Sequence, residues 1–164
     1  MKSLLSKKVI FVMGVSGCGK SSVGKLLADQ LSIPFFDGDD YHPQSNIEKM
    51  SQGVPLTDSD RMPWLDQVNK IATKHLESGV VIACSALKEK YRTQLSQSIE
   101  QNVVWVYLKG DYDLIFNRMK NRKDHFMSSG MLKSQFETLQ EPENAIIVDI
   151  ANSLEHVMDE IKSY

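Results

Sequence analysis

Five short apolar runs punctuate the chain: positions 9–15, Pro34-Phe35-Phe36, Val80-Val81-Ile82-Ala83-Cys84, Val103-Val104-Trp105-Val106-Tyr107-Leu108 and Ala145-Ile146-Ile147-Val148. Each is nearly continuous rather than alternating, the pattern of strands covered on both faces. The segments between them carry helical spacing instead. In the first, apolar residues fall at Val23, Leu26, Leu27 and Leu31, one face of a helix. The pattern predicts helices near 19–31, 44–51, 62–78, 88–98, 111–122 and 152–162. Asp58-Ser59-Asp60 supplies start signals before the third, with Pro63 in its first turn, and Gly79 closes it. Strands alternating with helices predict a parallel sheet joined by right-handed crossovers, a three-layer α/β domain over 1–164. The stretch from Arg122 to Pro142 has no strand, is polar, and contains Ser128-Ser129-Gly130. It reads as an excursion outside the sheet, a candidate lid at 122–142.

Composition narrows this picture only slightly. Charged residues at 24% and hydrophobic ones at 41% describe an ordinary globule, and 19 − 21 gives a net charge of −2. Nothing in that balance calls for nucleic acid or a membrane surface. Basic residues do gather at Lys109, Arg118, Lys120, Arg122 and Lys123, where a solvated helix face is the plain alternative to a ligand site. No apolar run approaches the roughly 20 residues that span a bilayer, and no leader is visible. The two cysteines, Cys18 and Cys84, form neither a metal pattern nor a disulfide framework, so a cytoplasmic location is expected. Cys18 stands where a helix N-terminus can lower a thiol pKa and open it to oxidation, although a small variable loop residue is the better explanation.

The strongest chemical signal is Gly14-Val15-Ser16-Gly17-Cys18-Gly19-Lys20-Ser21, which meets G-x-x-x-x-G-K-[ST] at every fixed position. A strand precedes it and a helix follows, the context that a phosphate-binding loop requires. Glycines let the backbone wrap an anion with its N–H groups inward, and the helix start adds unpaired donors. Val15, Ser16, Gly17, Cys18, Gly19 and Ser22 are therefore candidate nucleotide contacts beside Gly14. Lys20 is suited to the β- and γ-phosphates, and Ser21 to Mg²⁺.

Further motifs stand at the carboxyl ends of the predicted strands, where open parallel sheets bind ligands. After the second come Asp37, Asp39, Asp40 and His42. A carboxylate there can hold Mg²⁺ through water or accept the proton of an attacking hydroxyl, or the run is a capped polar turn. Asp60 and Arg61 suit a polyol and a carboxylate, or cap the next helix; Trp64 reads as packing. After the third strand, Ser85 and Ala86 leave room for a substrate, while Lys88 and Arg92 share a helical face that is either a substrate contact or solvated. Arg118 could stack on a base, Arg122 could close over phosphates, and His125 is either a substrate contact or merely exposed.

Four blocks, GVSGCGKS at 14–21, FDGDDYHPQSNIEKMSQGVPLTDSDRMPWL at 36–65, CSALKEKYR at 84–92 and RKDHFMSSGMLKSQFETLQEP at 122–142, together resemble the bacterial gluconokinase family. The resemblance implies a nucleoside-monophosphate-kinase-like P-loop fold with a five-stranded parallel sheet and a lid. It also implies transfer of phosphate from ATP to the 6-hydroxyl of D-gluconate with Mg²⁺, and a homodimer. By similarity, Lys20, Asp39 and Arg122 are the catalytic candidates. Ser21 and Asp37 serve the metal, and Arg118 serves the nucleotide. Asp39, His42, Arg61, Lys88, Arg92 and His125 are candidates for the acceptor. Cys18, Ser128 and Gln140 depart from the family pattern, the last two where a lid would be stiffened. Shikimate kinase and nucleoside monophosphate kinases share the loop and are the nearest rivals. A GTPase is disfavoured because Asn69-Lys70 continues as Ile71-Ala72 rather than into a guanine-reading motif.

Overall fold

The computed structural model describes residues 4–121 and 129–164. Strands β1 (Val9–Met13), β2 (Phe35–Asp37), β3 (Val80–Ala83), β4 (Val103–Lys109) and β5 (Ile146–Asp149) form one sheet in the order β2-β3-β1-β4-β5. Every pairing is parallel. The helices are α1 (Lys20–Leu31), α2 (Gln44–Ser51), α3 (Asp58–Lys74), α4 (Glu89–Leu95), α5 (Tyr112–Lys120), α6 (Ser129–Thr138) and α7 (Leu154–Lys162).

The continuous apolar runs have their physical reason here. All five residues of β1 are buried, and they divide between two cores. Ile10 and Val12 join Val23 and Leu27 of α1, Ile115 of α5, Leu132 of α6 and Val157 of α7 on one face. Val9, Phe11 and Met13 join Trp64, Leu65 and Val68 of α3 and Tyr91 and Leu95 of α4 on the other. Each such aliphatic side chain contributes about 1.5–3 kcal/mol on leaving water, so a polar residue on either face would be costly. Phe11 also stacks on Trp105 of β4, centroids 4.6 Å apart.

This layering decides where ligands meet the sheet. The crossover leaving β1 runs over one face and that leaving β3 over the other. The crevice between their carboxyl ends is the switch point at which α/β sheets bind. The amide of Gly14 donates to the carbonyl of Ser85 across it, at 3.3 Å.

Two elements differ from the sequence expectation. α3 starts at Asp58, not near 62, because Thr57 and Asp60 form a reciprocal capping box that starts the helix and carries Pro63 into its interior. Within the stretch predicted to lie outside the sheet, residues 129–138 are helical. Its Leu132 is fully buried, with Phe136 and Leu139 packed beside it.

Candidate active site

The donor end of the crevice is made from backbone. Gly19 caps α1 with φ +96°, a left-handed conformation that L side chains rarely adopt. A Cβ there would meet no atom within 4 Å, so the space beside it lies open to a ligand. Gly14 is needed for closeness, since a Cβ would come within 2.9 Å of the Leu108 carbonyl. Lys20 Nζ donates to the carbonyls of Gly14 and Val15, 3.0 Å from each. Cys18 is buried inside the loop, and burial pushes its thiol pKa up against the pull of Lys20. The reading of Cys18 as a small loop residue rather than a reactive thiol fits this: the side chain faces the core and only the backbone serves the loop.

Between donor and acceptor, Ser21 Oγ donates to Asp37 Oδ2 at 2.9 Å. Asp37 Oδ1 accepts the Asp39 amide at 3.0 Å, capping the short 3₁₀ turn at Gly38–Tyr41. Among the described residues, no group of three or more His, Cys, Asp or Glu could hold a metal by itself. A hydroxyl paired with one carboxylate instead suits Mg²⁺, which keeps waters and is completed by phosphates. The acidic turn packs tightly, for a Cβ on Gly38 would lie 2.8 Å from the Ala83 carbonyl.

The acceptor wall is made from side chains held by other side chains. Asp39 opens into the cleft with its carboxylate largely exposed there. Enclosure by the cleft walls raises its pKa; Lys20 pulls the other way, and the carboxylates of Asp37 and Asp40 add to the rise. His42 Nε2 stands 3.8 Å from Asp39 Oδ1, and its ring stacks on Trp64 at 4.0 Å. Asn46, buried in the wall, donates through Nδ2 to the Asp60 carbonyl at 3.0 Å and lies 3.2 Å from His42 Nδ1. A carbonyl only accepts, which fixes the Asn46 amide, so His42 Nδ1 accepts and Nε2 carries the proton facing Asp39. Burial and the Arg61 charge lower the His42 pKa to about 4, which keeps the ring neutral. Trp64 Nε1 donates to the Gly38 carbonyl at 2.7 Å, so Trp64 both packs and braces the acidic turn. Arg61 donates to the Leu56 carbonyl and lies over the Tyr91 ring at 5.3 Å.

Lys20, Asp39, His42, Arg61, Trp64 and Gln135 line one cleft of about 500 Å³. Lys88 and Arg92, the other two described acceptor candidates, do not line it. Lys88 pairs with Asp58, which also takes Lys90 and the Tyr91 hydroxyl, tying α4 to α3. Arg92 is buried and donates to the carbonyls of Ala86, at 2.6 Å, and Gln140, at 2.7 Å. Ala86 has φ +48°, so Arg92 holds a strained turn at the cleft wall. Gln140 in turn accepts the Glu89 amide through Oε1 at 2.8 Å and bonds the Leu87 carbonyl through its own amide. Arg118 donates to the Ile150 carbonyl and is near enough for its charge to act on Cys18. Arg122, His125 and Ser128 lie outside the described residues, as does the first part of the expected lid. Sequence reasoning missed Asn46 and Gln135, which carry no charge and sit in helical segments.

Fold and site together define a P-loop kinase, and a model of the shikimate kinase family matches residues 16–163. Closer likenesses are more particular. The chain is 47% identical to the thermoresistant gluconokinase of Escherichia coli K12, covering 92% of this chain and 89% of that protein. It is 42% identical to the thermosensitive gluconokinase of the same organism, covering 92% and 83%. A crystal structure of a gluconokinase from Sinorhizobium meliloti 1021 superposes with a TM-score of 0.89 at 42% identity, covering 96% of this chain and 90% of that one. The chain belongs to the gluconokinase family.

Proposed function

We propose that this chain transfers the terminal phosphoryl group of ATP to the 6-hydroxyl of D-gluconate, giving 6-phosphogluconate and ADP. One observation carries this reading: a phosphate loop, a carboxylate and a cation, Lys20, Asp39 and Arg61, line a single cleft. The loop amides and Lys20 hold the triphosphate and offset the charge that develops on it. Asp39 takes the proton of the attacking hydroxyl as the new O–P bond forms and the bond to ADP breaks. Its raised pKa makes it a better base than an ordinary carboxylate. His42, neutral and stacked on Trp64, faces that carboxylate with its N–H. Arg61, at the far wall, supplies a planar cation for the sugar-acid carboxylate.

Ser21 and Asp37 would hold Mg²⁺, which when bound neutralises phosphate charge. Among the described residues no helix is long and apolar enough to cross a membrane. The reading includes a cytoplasmic homodimer, as the family resemblance implies. The test is a coupled assay of ADP release with Mg-ATP over D-gluconate, idonate, shikimate and AMP, with the phosphorylated position assigned by NMR. Turnover on gluconate with phosphate at C6 is expected; turnover on shikimate or AMP alone would overturn the reading.

A further inference from the structure

Helix α6 turns two faces to its surroundings. Leu132 and Phe136 pack on the core, while Met131, Ser134, Gln135 and Thr138 follow helical spacing along the cleft wall. From that face the Gln135 carboxamide reaches the phosphate loop. Its Oε1 accepts the Ser16 amide at 2.8 Å, and its Nε2 donates to Ser16 Oγ at 3.0 Å. A backbone N–H can only donate, so the amide orientation is set by the contact itself. The contact joins residues 119 positions apart. It also places a neutral oxygen on a loop donor of the kind that binds phosphate oxygens. Ser16 shares the cleft with Lys20 and Asp39, so this donor lies on the side of the loop where the phosphoryl group must pass to an acceptor.

We propose that Gln135 is a positioning residue for the transferred phosphoryl group. A terminal phosphate oxygen takes the place of Oε1 on the Ser16 amide, and the displaced carboxamide donates from Nε2 to that same phosphate. The inference rests on the kinase reading of the cleft but not on which acceptor is used. It explains why a polar side chain of an outlying helix is aimed into a loop that otherwise binds through backbone.

The test compares Gln135→Ala and Gln135→Glu with the wild-type enzyme. It measures affinity for Mg-ADP and for a non-hydrolysable Mg-triphosphate by calorimetry, alongside kcat with gluconate. For Gln135→Ala, kcat is expected to fall about thirtyfold while ADP affinity stays within about twofold, since the lost bond is made to a charged group on the terminal phosphate. For Gln135→Glu, which preserves the shape, triphosphate affinity is expected to fall about tenfold more than ADP affinity, because a carboxylate would face that phosphate. A merely structural contact would weaken both nucleotides alike. Equal losses in both variants, or an alanine variant with wild-type kcat, would overturn the proposal. If the wild type binds nucleotide but does not turn over gluconate, the discrimination between triphosphate and ADP still decides the role of Gln135, and only the acceptor assignment fails.

Discussion

The two ends of the cleft are built on different terms. At the donor end the working groups are amides, a helix terminus and two side chains, Lys20 and Ser21, and the intervening residues serve mainly by their backbone. Cys18 illustrates this: its side chain is turned into the core and the loop closes around it regardless. At the acceptor end almost everything is side chain, and each member is held by the next. The Asp60 carbonyl fixes Asn46, Asn46 sets the tautomer of His42, and His42 faces Asp39. A backbone site tolerates drift in side chains and is generic. A side-chain relay is specific, and it fails at its weakest buried link.

That contrast can be broken from either end. Lys20→Met removes the cation of the phosphate loop and should cut kcat about 10³-fold, while gluconate binding measured alone stays unchanged. Asn46→Leu attacks the relay instead, leaving the Asp60 carbonyl and the His42 nitrogen without their donor. It should destabilise the fold by about 2 kcal/mol in urea unfolding and raise the KM for gluconate with nucleotide affinity preserved. Equal loss at both ends in this variant would dissolve the distinction.

A smaller effect sharpens it. His42 has its pKa lowered to about 4 from an ordinary 6.5, so between those values the unfolded chain binds a proton that the folded chain refuses. Its neutral form therefore contributes stability that is fully present above pH 6.5 and is lost as pH falls toward 4. Stability should drop by about 1 kcal/mol by pH 5.5. His42→Gln should lack this slope when urea midpoints are compared at the two pH values.

Much of the frame was legible because parallel strands buried on both faces leave unbroken apolar runs, and the loop motif sits on the first of them. Helix α6 was not, since its core-facing apolar residues 132 and 136 are diluted by polar neighbours and Gly130 lies in its first turn. Lys88 and Arg92 have the i, i+4 spacing of a cationic face. Spacing cannot distinguish a guanidinium aimed at a ligand from one satisfying the carbonyls of a strained turn. Asp37 and Asp39 were recognisable from their place after a strand, whereas Asn46 needed the fold to bring it beneath His42.

The most direct measurement is gluconate turnover by Asp39→Asn across pH, with triphosphate-analogue affinity recorded on the same protein. The account predicts a fall in kcat of about 10³-fold, nucleotide affinity within about twofold of wild type, and loss of the acid limb that the raised Asp39 pKa gives the wild-type profile. Near-normal turnover, or nucleotide affinity lost in step with kcat, would contradict the separation of a backbone donor site from a side-chain acceptor site.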